Sequence, residues 1–533
     1  VLRKVAEFKV MGTSADRFDG PDKVTGRAVY AADVRRPGML YASVLRPPAH
    51  GAELRRLDTA KAAAVPGVTV VEEKNLVAVL HADPEVAAEA LRRVEADWSS
   101  PEATFDTETV DAHLRSVAPP PEVPQEAGDV ATARAAAGRV FTATYRTGYV
   151  AHAPMEPHVA VAEVADGRLT VWASTQSPFP LRDRLVEELG LPADAVRVVT
   201  PYVGGGFGGK SAGGQAVEAA RLARRTGRPV QVAWTRDEEF FYDPFDPAAV
   251  VDVASAVGAD GRLALWDYQV WAAGDRGAEL FYDAPHVLLR AHGSLWGPGT
   301  AMHPFAVGPW RAPGANTNVF AMESQMDLMA AVLGVDPLEF RLRNLEGDPR
   351  MRRVLETAAQ HFGWRPGRGP SGQGRAIACG VDAGTYVALC AQVAVDRESG
   401  EVTVERVVCA QDMGIVVNPE GAIMQAEGCI IQGLGYVLSE ELRFRGGRIL
   451  DRNFGTYHLP TFRRLPAIDV VLVRNDELDP QGGGEPAIVP MGAVVANAVF
   501  DATGVRLYRL PMTAERVKAA LAAAQEEERA AAG

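Results

Sequence analysis

Five glycines in six positions, Gly204-Gly205-Gly206-Phe207-Gly208-Gly209, followed by Lys210 and Ser211, constrain this chain more than any other segment. Such a run loses too much backbone entropy to sit inside a helix or strand, so it must form a loop. Its bare N–H groups can approach a ligand closely, because no Cβ blocks the way and φ > 0 is accessible at little cost. The run also fits the phosphate-loop pattern G-x-x-x-x-G-K-[ST], which requires a strand before it and a helix starting at its Lys-[ST] pair. Residues 196–200 supply the strand. Downstream, Gly213 and Gly214 occupy what would be the first helical turn, each at a cost of about 1 kcal/mol against alanine, so the helix is expected to start near Gln215. A nucleotide hydrolase also needs an apolar strand ending in an acid that holds Mg²⁺. Here the strand 470–473 ends in Arg474, and Asp412 follows its strand only with Gln411 intervening. A nucleotide-binding reading stands as an alternative, while the loop itself is expected to face some other anionic or oxo-rich ligand.

The 533 residues exceed what one hydrophobic core organises, so several domains are expected. Residues 1–103 alternate short β-like runs (40–45, 68–71) with a helical stretch at 85–94 and read as a small α+β domain. Residues 104–138, with Pro119, Pro120, Pro121 and Pro124, read as an extended linker with some helix. Mixed α/β patterning then fills 139–345 and 346–533, with helices expected at 181–189, 215–225, 319–333, 351–362, 419–438 and 513–528. Lys+Arg 55 against Asp+Glu 68 gives a net charge of −13 with no basic stripe, which argues against nucleic acid as a partner. No apolar stretch is expected to approach the roughly 18 residues of a membrane span. Cys379, Cys390, Cys409 and Cys429 form no C-x-x-C pair and read as buried free thiols rather than cluster ligands. His152 and His158 lack the spacing of a zinc motif, and no G-x-S-x-G elbow suggests a hydrolase.

Read with its neighbours, the glycine loop is one of a series of blocks. They include Pro21 to Gly26, Ala153-Pro154-Met155-Glu156-Pro157, Ser174-Thr175-Gln176-Ser177-Pro178, Pro309-Trp310-Arg311-Ala312-Pro313-Gly314 and Asp336-Pro337 through Asn344. Further on come Asp412 through Asn418-Pro419, Gln425-Ala426-Glu427-Gly428 and Gly482-Gly483-Gly484-Glu485-Pro486. In this order and spacing the chain resembles the large molybdopterin-binding subunit of the molybdenum hydroxylases, the xanthine oxidase and aldehyde oxidase family, most closely the isoquinoline oxidoreductase and nicotinate dehydrogenase branch. The resemblance covers most of the chain. It implies a hammerhead-like N-terminal domain (1–103) followed, after the linker, by two molybdopterin-binding α/β domains (139–345 and 346–533).

By motif position the resemblance implies Glu485 as catalytic base, a carboxylate in a glycine-framed loop that takes a proton from the oxygen nucleophile. It implies Gln176 beside an oxo ligand, where an amide N–H donates without adding charge. Gly205, Gly206, Phe207 and Gly208 would offer backbone N–H groups to the cofactor, and Arg311, Ala312, Gln425 and Gly484 would complete its contacts. No protein side chain would ligate the metal, which is held through the pterin dithiolene. The implied reaction inserts a water-derived oxygen at an electron-poor carbon of an N-heteroaromatic or aldehyde substrate, with two-electron reduction of molybdenum. The implied cofactor is molybdopterin in its cytosine dinucleotide form, with [2Fe–2S] and FAD or haem on partner subunits. A non-catalytic assembly subunit of the same fold is the competing class.

Three departures qualify the expectation. Ser211 stands where purine-oxidising members carry a glutamate, and Pro313 where they carry a stacking Phe, so xanthine is a poor substrate guess. Gly372-Gln373-Gly374 has the letters of the family's cofactor-gripping G-Q-G segment but lies between a loop around Arg368 and a strand. The opening Val1-Leu2-Arg3-Lys4 carries no apolar signal region, and half the cofactor pocket is expected from a second polypeptide beside a small [2Fe–2S] subunit. A cytoplasmic location is expected, with the periplasm as the alternative.

Overall fold

Strands from either side of residue 103 meet in one seven-stranded sheet, in the order Val196–Val199, Arg168–Ala173, Val159–Ala165, Val230–Ala233, Leu40–Val44, Leu76–His81, Thr69–Glu73. Leu40–Val44 pairs in parallel with Val230–Ala233 across this junction. The computed structural model describes residues 5–100, 102–293, 302–365 and 370–532; Val1 to Lys4 and Arg368 lie outside them. Helices Pro178–Leu189 and Gly214–Thr226 cover the sheet. The second buries Ala216, Ala219, Ala220 and Ala223, small residues that let its axis lie close to the strands.

A larger core forms between two further sheets. One runs Glu122–Ala127, Val287–His292, Leu263–Trp271, Ala249–Val257, Phe141–Thr147, and the other Gln373–Asp382, Thr385–Val395, Val402–Asp412, Ala467–Leu472. Helices Ala315–Leu333 and Met491–Thr503 are buried among these strands. The architecture is mixed α/β with several sheets, as expected from the sequence.

Two expectations need correction. The stretch 104–138, expected as an extended linker with some helix, holds helices Val110–Ser116 and Val130–Ala136 but also, against that expectation, a strand, Glu122–Ala127, which pairs with Val287–His292. That strand is at a sheet edge, where the missing N–H of Pro124 is tolerated. The second concerns apolar length: Pro486–Thr503 is an 18-residue window apolar enough to match a membrane span by composition, and 89% of it is buried inside the protein. A helix hydrophobic on every side is what a central core position demands.

Several of the sequence blocks are scaffold. Asp336 caps the helix Pro337–Arg343 by accepting from the Leu338 and Glu339 N–H groups. Arg341 donates to Glu323 at 2.8 Å with both side chains fully buried, and Asn344 accepts from the Leu263 N–H at 2.7 Å. Asn418 caps the helix Pro419–Leu438. Gly374 packs so closely on helix Met491–Thr503 that a Cβ would lie 1.9 Å from the Ala498 carbonyl oxygen, so this G-Q-G segment is spent on packing. All four cysteines are free and buried.

Candidate functional site

Several loops and the helix Pro419–Leu438 converge on one cleft of about 530 Å³. Its lining includes Gln176, Phe207, Gly208, Arg311, Gln425, Gly484 and Glu485, together with Ser211 and Met424. Of the residues singled out in the sequence, Gly205, Gly206 and Ala312 are not part of this lining. The helix Pro419–Leu438 brings Met424, Gln425 and Gly428 to one wall, the glycine loop forms the second, and the turn at Glu485, just before Met491–Thr503, closes the third.

The glycine loop is shaped by close approach. A Cβ on Gly206 would lie 2.4 Å from Gln176 Oε1, and one on Gly208, at φ +117°, would lie 1.5 Å from the Pro309 carbonyl oxygen. Phe207 (φ +53°) and Ala312 (φ +60°) both sit in the left-handed region although neither is glycine. Residues held there cost of order 1–3 kcal/mol and persist only where surroundings over-determine them. Phe207 and Arg311 are tied directly, the Arg311 N–H donating to the Phe207 carbonyl at 3.0 Å.

Lys210 does not face the cleft. Its side chain is fully buried and its ammonium donates to Glu156 Oε2 at 2.6 Å. The same oxygen accepts from the Gly204 N–H at 2.7 Å, so Glu156 holds both ends of the loop. Only a short 3₁₀ turn covers Gly209–Ser211, and the α-helix begins at Gly214, next to the expected Gln215. A phosphate loop needs its lysine at the ligand and its helix N-terminus at Lys-[ST]; this loop has neither.

Behind the loop lie buried ionic groups whose role sequence reasoning missed. His152 Nδ1 meets Asp243 at 2.9 Å while Nε2 meets the Pro309 carbonyl at 2.8 Å. Two acceptors require both ring nitrogens to be protonated. Burial alone would lower the His152 pKa, but the Asp243 charge and hydrogen bond, with the Pro309 carbonyl, raise it. His158 repeats the arrangement between Glu239 (2.7 Å) and the Gly209 carbonyl (3.3 Å). His152, Glu156 and His158 flank or belong to the Ala153–Pro157 block, so the signal was in the sequence, but the two histidines' partners, Asp243 and Glu239, lie far along it.

The remaining expected residues divide by where their donors go. Gln176 Oε1 accepts from the Gly208 N–H at 2.9 Å, which fixes the amide and leaves its NH₂ without a partner among the described residues. Arg311 spends its donors on protein: Nε and Nη2 on the Gly484 carbonyl (2.9 and 2.6 Å), Nη2 on Gln425 Oε1 (2.9 Å) and Nη1 on Gln432 (3.2 Å). It therefore fastens the helix Pro419–Leu438 to the Glu485 turn. Glu485 is partly exposed, and Oε2 accepts from Arg276 Nη2 at 2.7 Å. Arg276, on the loop after Leu263–Trp271, belongs to none of the sequence blocks.

What these residues define is a class: a cleft suited to an oxo-bearing ligand, with the Gln176 NH₂ as an uncommitted donor and Glu485 as the single carboxylate in its lining. The fit to molybdopterin rests on the close approach of the loop to Gln176 and Pro309, which a Cβ at Gly206 or Gly208 would force apart, and on the Gln176 NH₂ left free to donate. Models of the molybdopterin cofactor-binding domain match residues 115–345 and 341–466. The chain is 32% identical, over 98% of its length, to a nicotinate dehydrogenase component of Pseudomonas putida, of which it spans 47%. It is 30% identical to the β-type component of isoquinoline 1-oxidoreductase from Brevundimonas diminuta, covering 96% of this chain and 69% of that one. The quinoline 2-oxidoreductase structure from Pseudomonas putida superposes with a TM-score of 0.84 at 18% identity, over 98% of both chains. The chain belongs to the molybdenum hydroxylases, a family of oxidoreductases, and corresponds to their large molybdopterin-binding subunit.

Proposed function

We propose that this chain is the catalytic subunit of a hydroxylase that inserts a water-derived oxygen at an electron-poor ring carbon of an N-heteroaromatic compound. The observation that carries the reading is Glu485, anchored through one oxygen on Arg276 and the single carboxylate in the lining of the cleft. When bound, molybdopterin supplies the metal centre that accepts two electrons from the substrate. Glu485 acts as general base, taking the proton of the attacking oxygen at its unengaged carboxylate atom. Gln176 donates its NH₂ to an oxo group while its own oxygen stays fixed on the Gly208 N–H. Phe207 and Gly208 set the height of the cradle, and Arg311 with Gln425 keeps the Glu485 turn in register. The names of the two curated relatives support an N-heteroaromatic substrate.

Partners follow from the same reading. Phe207 and Met424 are exposed at the cleft, 41% and 53%, and Phe179 just beyond Gln176 is 71% exposed. A second polypeptide covering these side chains would complete the pocket and exclude water, and the two relatives are themselves named as subunits. Electrons would leave through a [2Fe–2S] partner, with FAD or haem beyond it, and the cofactor would carry a cytosine dinucleotide tail. Replacing Glu485 by Gln tests the assignment: molybdenum content stays at the parent level while turnover falls by about 10²–10⁴, the range of a lost general base. Near-normal turnover would remove Glu485 from the role. A native complex without molybdenum would instead favour a non-catalytic assembly subunit.

A further inference from the structure

Glu485 does not stand alone at the cleft. Arg276 is forked between it and a second carboxylate, Asp382, with Nε and Nη2 on the two Asp382 oxygens at 2.8 and 2.9 Å and Nη2 also on Glu485 Oε2 at 2.7 Å. The Asp382 side chain is almost wholly buried, 1% exposed, whereas Arg276 and Glu485 are 37% and 40% exposed. Arg276 is not part of the cleft lining.

Both ends of this fork are fixed. Asn318 Nδ2 donates to the Gly274 and Arg276 carbonyls, each at 3.0 Å, and Gly277 leaves no room for a Cβ against Ala315, so the arginine loop is fastened to the start of helix Ala315–Leu333. Asp382 ends its strand, and the turn after it grips the glycine segment before Glu485: Thr385 Oγ1 donates to the Gly482 carbonyl at 2.6 Å, and the Gly482 N–H donates to the Ala383 carbonyl at 3.0 Å. Two elements far apart in sequence thus meet at the base.

We infer that Arg276 is the positioning residue for Glu485, and that Asp382 serves as the fixed counter-charge which lets Glu485 take up and release a proton. This rests on the reading of Glu485 as general base. The argument is one of charge balance. With Glu485 ionised the trio carries one net negative charge, and with Glu485 protonated it is neutral, because Asp382 still balances Arg276. Without Asp382, protonating Glu485 would leave an uncompensated guanidinium in a partly buried site. Without Arg276, two carboxylates would share the site, and one would hold a proton. Burial pushes the Asp382 carboxyl up, with Arg276 opposing and Glu485 adding to the rise. The other groups facing Glu485 are the Arg311 guanidinium on the Gly484 carbonyl and the Cys429 thiol, 3.4 Å from the Glu485 carbonyl and pushed up to about 11 by its burial.

The test compares Arg276→Gln, Arg276→Lys, Asp382→Asn and Glu485→Gln in the native complex. Arg276→Gln is expected to keep its molybdenum, lower kcat by about 10²-fold with little change in KM, as for a misplaced catalytic group, and move the acid limb of kcat/KM upward. Arg276→Lys restores part of kcat, since one point charge replaces the fork. Infrared spectroscopy of the purified chain, with and without cofactor, gives a readout independent of turnover. A protonated-carboxyl band is expected near neutral pH in Arg276→Gln and is lost when Asp382→Asn is added. If Arg276→Gln fails to fold, Asp382→Asn carries the test: its acid limb moves downward, because Glu485 then pairs alone with the cation. An unmoved acid limb together with no new carboxyl band overturns the inference. Full turnover in Glu485→Gln overturns instead the base assignment on which it rests.

Discussion

Replacing Lys210 by alanine separates the two readings of the glycine loop by their consequences. In the structure the ammonium is fully buried, its partner Glu156 is 11% exposed, and they meet at 2.6 Å. Removing the cation leaves the Glu156 carboxylate with the Gly204 N–H alone at 2.7 Å, and its other oxygen, Oε1, is buried with no partner among the described residues. Breaking a buried pair in this one-sided way costs about 3–5 kcal/mol, most of it the penalty of the stranded charge. For the sheet unit that carries the loop, that is a fall in Tm of roughly 6 °C or more. The single variant Glu156→Gln and the double variant Lys210→Ala with Glu156→Gln complete the cycle, which should return a coupling of about 1–3 kcal/mol. Thermal unfolding and molybdenum content of the four proteins make the cycle. A Tm for Lys210→Ala within about a degree of the parent, with no coupling, would refute the fastening role. A nucleotide site would behave in the opposite way, keeping its stability and losing Mg²⁺-dependent nucleotide hydrolysis.

Gly208→Ala drives a Cβ into the Pro309 carbonyl, at 1.5 Å, on a backbone held at φ +117°, so the loop must shift and the His152–Pro309 bond at 2.8 Å must lengthen. Molybdenum per chain should fall more than about tenfold, as 1.4 kcal/mol already gives a factor of ten. Gly138→Ala, where nothing lies within 4 Å, should keep its metal, and equal content in both would contradict the close-fit account. Asp246 gives a pH dependence. Its carboxyl is pushed up to about 8 by burial, with His152 opposing, against an ordinary value of 3.8. The folded protein therefore keeps a proton that the unfolded chain releases. Its contribution is fully present below about pH 4 and is lost as pH rises toward 8, at up to about 1.4 kcal/mol per pH unit. Asp246→Asn should flatten stability curves measured between pH 5 and 8, and parallel curves would rule this out.

How much of this can be read beforehand depends on what kind of signal a residue leaves. The glycine run announces a loop, and the pair Gly213 and Gly214 announces that no helix starts at Lys210, because backbone entropy is a local property. Helices such as Pro349–Phe362 and Pro419–Leu438 are visible for the same reason, with Pro at the first turn and a capping Asp or Asn before it. The strand Glu122–Ala127 is harder: the prolines at 119, 120, 121 and 124 mask a strand that is tolerated only because it lies at the sheet edge. The site shows the same division. Gln176, Phe207, Gly208, Arg311, Gln425, Gly484 and Glu485 lie in recognisable blocks and meet at one cleft. Arg276 and Asp382 leave no local trace, since a single arginine on a loop and an acid at a strand end acquire meaning only from the tertiary meeting of the segments around 276, 382 and 485.

A segment without side chains can be held only by its peptide groups, and this decides the chemistry behind the cleft. Five glycines cannot bury apolar area, so packing of the kind that fixes helix Met491–Thr503 is closed to residues 204–209. Their N–H and carbonyl groups remain, and each fastening in the structure uses them: Glu156 on the Gly204 N–H, Gln176 on the Gly208 N–H, His158 on the Gly209 carbonyl and the Arg311 N–H on the Phe207 carbonyl. Charge-assisted bonds are about twice as strong as neutral ones, and burial strengthens them further. That explains why Lys210, His152 and His158 lie behind the loop with carboxylate partners. These side chains are too deep to serve as ligands, and they hold the loop on either side of Phe207, whose backbone conformation costs of order 1–3 kcal/mol. The glycine loop turns no charged side chain to the cleft, so under the proposed reading an oxo-bearing ligand would meet Phe207 and peptide dipoles there, and the one carboxylate in the lining is the one that Arg276 holds.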